Sequence, residues 1–209
     1  MKILVLTDIH EDYDAAVNAW NLQKPDLVLD CGDHKKMKNL FELTPHYYIK
    51  GNHEPNTVQI RANDFPIPNE ISSGTVYTFE DELNSLTFSG VGGNYTNTPK
   101  GENVNEEDLE NLQKIGRGSL DVLLLHESPF NVLPNKGGYE LTKHIIHEIK
   151  RIQPRFVFSG HTNIYKENLL DGINSPTKVI NLSDVAHGYG ILEKEEDSLS
   201  FQRVIFRYR

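Results

Sequence analysis

The chain has 209 residues, 37% of them hydrophobic and 24% charged, with 15 glycines and 10 prolines. This balance suits a globular chain with one substantial core and excludes disordered and collagen-like proteins, so a single domain over residues 1–209 is expected. Lys and Arg number 21 against 30 Asp and Glu, a formal net charge of −9, which opposes nonspecific binding to duplex nucleic acid or to anionic membranes. The longest apolar runs, such as residues 3–6 and 122–125, fall far short of the roughly 18 residues that span a bilayer. The hydrophobic stretch after Lys2 ends at Asp8, too soon for a secretory signal core. Cys31 is the one cysteine, which rules out an internal disulfide framework and fits a reducing, cytoplasmic compartment.

In chain order, residues 2–7 read as a buried strand and run into polar Asp8-Ile9-His10, while residues 25–30 form a second run ending at Cys31-Gly32-Asp33. Between them Ala15, Ala16, Ala19 and Trp20 have helical spacing from near Asp14, completing a β-α-β unit. A third strand over residues 46–49 leads into Gly51-Asn52-His53-Glu54. Residues 55–74 carry three prolines and little periodicity, a long loop of the kind that is often functional. Strands follow at 76–79 and 86–89, then a Gly- and Asn-rich loop over 90–103. Asn105 and Asp108 are spaced to cap a helix. Residues 122–125 form a strand ending in His126-Glu127-Ser128, residues 139–152 show helical spacing at Leu141, Ile145, Ile146 and Ile149, and residues 155–158 form a strand ending in Ser159-Gly160-His161-Thr162-Asn163. Three strand candidates occupy 177–207, with turns expected at 188–190 and 195–197. Alternating strands and helices, then an all-strand tail, predict layered α/β with a pair of mixed sheets.

Each of five strand ends carries metal-competent side chains: Asp8 and His10; Asp33; Asn52 and His53; His126; His161 and Asn163. Ligands of such sheets bind beyond the carboxyl ends of strands. Carboxylate, imidazole and amide oxygen together suit manganese, iron or zinc, and a single cysteine argues against a structural thiolate zinc site. Two ions about 3.5 to 4 Å apart need a bridging ligand, a task for which a carboxylate such as Asp33 has two oxygens.

The ordered motifs Asp8-Ile9-His10, Gly32-Asp33, Gly51-Asn52-His53-Glu54, His126 and Gly160-His161-Thr162-Asn163 resemble those of the calcineurin-like metallophosphoesterase superfamily, over most of the chain. The resemblance implies a four-layer α/β/β/α sandwich and a first divalent ion held by Asp8, His10 and Asp33. It implies a second ion at Asp33, Asn52, His126 and His161, with His53 as general acid. The activity implied is hydrolysis of a phosphomonoester or phosphodiester by metal-activated water, on a small phosphoester substrate with nucleotides among the candidates. Asn163 stands where the family has its last histidine; a neutral amide binds borderline metals more weakly, so the first ion is expected to be the weaker, with His34 and His187 as alternative ligands. Asn163 also leaves room for a second function, a catalytically weak or inactive binding or scaffold protein of the same fold, against which the intact His53 stands. Gly32-Asp33-His34-Lys35 lacks the Gly-Asp-x-x-Asp-Arg-Gly signature of the protein-phosphatase branch.

Bland roles are assigned elsewhere. Cys31 is expected to pack, Glu127 to be solvated, His144 and His147 to lie on a helix surface, and the Lys35-Lys36-Met37-Lys38 cluster to be a solvated face. No Gly-x-Ser-x-Gly elbow surrounds Ser128.

Overall fold

The computed structural model describes residues 1–33, 44–53, 69–95, 103–130, 138–162, 164–172 and 176–206. Strands β1 (Lys2–Leu6), β2 (Leu27–Asp30), β3 (His46–Tyr48), β4 (Asn69–Glu70), β11 (Gly188–Glu195) and β12 (Ser198–Ile205) form one sheet in the order β12-β11-β1-β2-β3-β4. The second sheet runs β5-β6-β7-β8-β10-β9, built from β5 (Tyr77–Glu80), β6 (Ser85–Val91), β7 (Val122–Glu127), β8 (Phe156–Gly160), β9 (Lys166–Leu170) and β10 (Thr177–Asn181). Strands β1 to β4 are mutually parallel, as are β6, β7, β8 and β10; β11, β12, β5 and β9 run antiparallel to their neighbours. Both sheets are therefore mixed.

Strand periodicity sorts the side chains into three apolar layers. Ile3 and Val5 face between the sheets with Leu27, Leu29, Phe88, Val122, Leu124 and Phe158. Leu4 and Leu6, one residue out of phase, pack against Ala16 and Ala19 of α1 (Tyr13–Gln23). Leu123 and Leu125 turn the other way and meet Leu112 of α2 (Glu106–Gln113) and Ile145, Ile149 and Ile152 of α3 (Tyr139–Ile152). Helices thus cover the outer face of each sheet, and the four-layer α/β/β/α sandwich follows. The expected cap is present: Asn105 Oδ1 accepts from Asp108 N at 3.1 Å and Asp108 Oδ2 accepts from Asn105 N at 2.9 Å.

At the amino ends of the parallel strands the sheets are tied by charge. Lys194 of β11 reaches Asp121, just before β7, at 3.1 Å, and Arg155 approaches the same carboxylate at 3.4 Å. The carboxyl ends are free to carry other chemistry.

Three expectations need correction. Residues 188–190 are not a turn but the start of β11, because Gly190 lies under the Phe201 ring, where a Cβ would sit 2.8 Å from it, and pairs with Val5. The chain reverses just before, where His187 N–H and Gly188 N–H donate to the Asp184 carbonyl at 3.0 and 3.3 Å. Strand β6 extends to Val91, so the loop begins two residues later than expected, and β4 and β9 are additional edge strands.

Phe158 is fully buried, stacks on Phe156 at 5.9 Å and tilts against Phe201 of the facing sheet at 5.4 Å. Phe158→Ala is expected to lower unfolding free energy by about 3 to 5 kcal/mol, read as a reduced urea midpoint at unchanged slope.

Candidate metal centre

Five strand ends converge. After β1 the chain turns at Asp8 and His10, with φ of 50° and 48°, and after β2 it turns at Asp33, with φ of 71°; beyond β8 His161 has φ of 66°. Left-handed backbone costs roughly 1 to 3 kcal/mol per non-glycine residue and persists only when its surroundings hold it. Of the seven described non-glycine residues with positive φ, these four sit here, whereas Lys24 and Gln153 are helix C-caps. Hydrogen bonds between the turns supply the restraint: Asp8 N–H donates to Gly32 O at 2.9 Å and His10 N–H to Asp33 O at 2.7 Å.

The carboxylates are fixed next. Asp8, almost fully buried, accepts at Oδ2 from Thr7 Oγ1 at 2.5 Å and from His161 N at 2.8 Å, the latter crossing from one sheet to the other. Asp33, also buried, accepts at Oδ1 from His53 N at 2.8 Å. Two glycines make room for these oxygens. A Cβ on Gly160 would overlap Thr7 Oγ1 and Asp8 Oδ2, and one on Gly51 would overlap Asp33 Oδ1.

The imidazoles then face the carboxylates. His126, wholly buried, places Nδ1 2.8 Å from the Cys31 carbonyl. A carbonyl only accepts, so Nδ1 carries a proton and Nε2 is the ring nitrogen turned toward the other side chains. That nitrogen lies 2.9 Å from Asn52 Oδ1 and 3.5 Å from Asp33 Oδ1, while His161 Nδ1 lies 3.0 Å from the same amide oxygen. On the other side His10 Nε2 is 3.9 Å from Asp8 Oδ1.

Two groups of potential ligands result, Asp8 with His10 and Asp33, and Asp33 with His126 and His161, the ligand atoms of each lying within 4.8 Å of one another. Asp33 belongs to both. Carboxylate, imidazole and amide oxygen atoms brought this close together suit a cation, and this nitrogen and oxygen set matches intermediate divalent metals. The donor chemistry and the glycine-lined cradle therefore fit two ions sharing one carboxylate. His53 stands beside the groups, exposed, its ring edge-on to His10 at 5.4 Å.

Asn163, His34, Glu54 and the Lys35–Lys38 cluster lie outside the described residues. His187 belongs to neither group; its Nδ1 bonds instead to Asp184, on the loop from β10 to β11. His144 and His147 are exposed on α3, and Cys31 is buried. Glu127 is not solvated: it is 7% exposed and accepts the Tyr95 N–H at 2.8 Å. It anchors the loop after β6 to the end of β7, a role invisible in sequence because its partner lies 32 residues away.

A model of the calcineurin-like phosphoesterase family matches residues 1–165. The chain belongs to this family. A Mycoplasma pneumoniae protein named "Probable metallophosphoesterase" is 34% identical over 53 residues, 25% of this chain and 33% of that relative, so the match spans a third of its length. Among solved structures, TT1561 of Thermus thermophilus superimposes with a TM-score of 0.64 at 16% identity, covering 96% of this chain and 97% of the other. GAP50, the anchor in the inner membrane complex of Plasmodium, gives 0.64 at 11% identity over 98% and 84%. These likenesses share the fold. No helix among the described residues is long and apolar enough to cross a membrane.

Electrostatics at the centre are costly to the metal-free fold. Burial pushes the Asp8 carboxyl up from its ordinary value, against the lowering effects of His126 and the Thr7 hydroxyl, and Asp33 adds to the rise. Burial and the neighbouring His126 push the His161 imidazole down. A carboxyl raised in the fold binds its proton more tightly there than in the unfolded chain, so stability falls as pH rises from the unfolded value through the folded one. Chelator-treated Asp8→Asn protein is accordingly expected to be more stable than the parent at neutral pH, with the difference closing below about pH 4, as measured by denaturant titration at several pH values.

Proposed function

We propose that this protein hydrolyses a small phosphomonoester or phosphodiester at two divalent ions, one at Asp8, His10 and Asp33 and the other at Asp33, Asn52, His126 and His161. The observation that carries this reading is the pair of ligand groups meeting at Asp33. Asn163, where the family has histidine, makes the first position the weaker one. When bound, two such ions supply positive charge beside the phosphoryl oxygens and acidify water toward neutral pH.

The side chains divide the remaining work. The His53 N–H, Thr7 Oγ1 and His161 N–H hold Asp33 and Asp8 with their remaining lone pairs directed inward. The Cys31 carbonyl fixes the His126 ring so that Nε2 keeps a lone pair. His53 follows Asn52 directly, and its exposed ring is free to turn toward an incoming ester. A protonated His53 ring donates its N–H proton to the leaving oxygen as the ester bond breaks.

With manganese added, the protein is expected to hydrolyse p-nitrophenyl phosphate or its bis ester, and Asp33→Asn to reduce that rate by more than about a hundredfold, beyond the loss usual for residues that only support a ligand. Activity of neither ester under manganese, iron or zinc would overturn the reading. His53→Ala is expected to keep its metal content, by elemental analysis, while losing about 10² to 10⁴ in kcat on an alkyl phosphoester. The p-nitrophenyl ester, whose leaving group needs no proton, should lose far less; equal losses on both would remove His53 from the acid role.

A further inference from the structure

A second recess lies at the same edge of the sandwich. Lys50 follows β3, Ser72 and Ser73 follow Glu70 at the end of β4, and Asn105 and Asp108 open α2; between them is a polar cleft of about 110 Å³. Gly93 N–H bonds to the Lys50 carbonyl at 2.8 Å, holding the end of β6 against one wall. Lys50 is two residues from Asn52, so their Cα atoms are at most about 7.6 Å apart. One wall of the cleft thus adjoins the residue whose amide oxygen meets His126 and His161.

The lining selects by chemistry. Lys50 Nζ is paired with Glu70 Oε1 at 2.9 Å, so its charge is already met. The capping pair uses Asn105 Oδ1 and Asp108 Oδ2, which leaves the Asn105 NH₂ as donor and Asp108 Oδ1 as acceptor. Two carboxylates against one ammonium disfavour a second phosphate in the cleft. Hydroxyl, amide and carboxylate groups together match ligand hydroxyls, each of which both donates and accepts. The volume is that of about four waters, on the scale of one small ring. Resting on the phosphoesterase reading above, we propose that this cleft is the leaving-group subsite and that it takes a sugar ring, so that sugar phosphates are preferred to aryl phosphates.

Two measurements on the full chain test this. In steady-state kinetics, Ser73→Ala, Glu70→Gln and Asp108→Asn should each raise KM for ribose 5-phosphate about three- to tenfold, the worth of one hydrogen bond, and leave phenyl phosphate unchanged. Equal effects on both esters, or on neither, would overturn the subsite. By nuclear magnetic resonance, ribose 5-phosphate should shift the amides of Ser72, Ser73, Asn105 and Asp108, and inorganic phosphate should not. Shifts without hydrolysis of any ester would keep the cleft as a sugar site but overturn its leaving-group role along with the phosphoesterase reading; hydrolysis without shifts would overturn the subsite and keep that reading. Adenosine 5′-monophosphate distinguishes the source of the ring: similar behaviour supports sugar recognition, whereas effects confined to the nucleotide would overturn it in favour of the base.

Discussion

The two sheets meet at their carboxyl edges through a few hydrogen bonds, above all the His161 N–H to Asp8 Oδ2 at 2.8 Å and His126 Nδ1 to the Cys31 carbonyl at 2.8 Å. The rest of the centre depends on that meeting. It brings a carboxylate of one sheet against the backbone of the other and sets the tautomer of a buried histidine. It also obliges four side-chain-bearing residues to adopt left-handed backbone. The restraint comes from the continuous apolar layer between the sheets, where Ile3, Val5, Leu29, Leu124 and Phe158 are all fully buried. A rigid interior lets the rim hold geometry that short peptides would not adopt.

The charge arrangement is the other half of the same constraint. Asp8 and Asp33 are both buried, and burial together with Asp33 raises the cost of ionising Asp8. Beside them the protonation of the His161 imidazole is opposed by burial and by His126. A fold selected for stability alone would fill these positions with apolar or neutral groups. The arrangement makes sense as one completed by external positive charge, and it accounts for why the ligand groups converge on shared lone pairs instead of pairing off into isolated salt bridges.

Much of this was legible in the sequence, for physical reasons that differ by element. Helix α3 shows through Leu141, Ile145, Ile146 and Ile149 because helical period is a local property, and the Asn105–Asp108 cap spans only three residues. The buried parallel strands show as short apolar runs ending in polar clusters, which placed Asp8, His10, Asp33, Asn52, His126 and His161 at one edge. Strand β9 escaped because it begins Lys166-Glu167-Asn168 and its exposed edge needs no apolar alternation. Strand β4 is two exposed residues whose pairing to β3 is entirely tertiary. Gly188 and Gly190 read as turn residues since their small size is indistinguishable, in sequence, from the close packing that Phe201 demands of Gly190. Glu127 was misjudged for a similar reason: its burial depends on a loop distant in sequence.

The position of β1 has a consequence for how the molecule is made. It is the first strand of the chain, yet its neighbours are β2 on one side and, with Val5 opposite Gly190, β11 on the other. Until β11 is synthesised one flank of this apolar strand therefore has no partner, an exposed template for association between nascent chains. Contacts of such long sequence separation also slow folding. Asp8 cannot acquire its bond from His161, 153 residues further along, until both sheets have been synthesised, so a formed centre is evidence that the two halves of the sandwich have met.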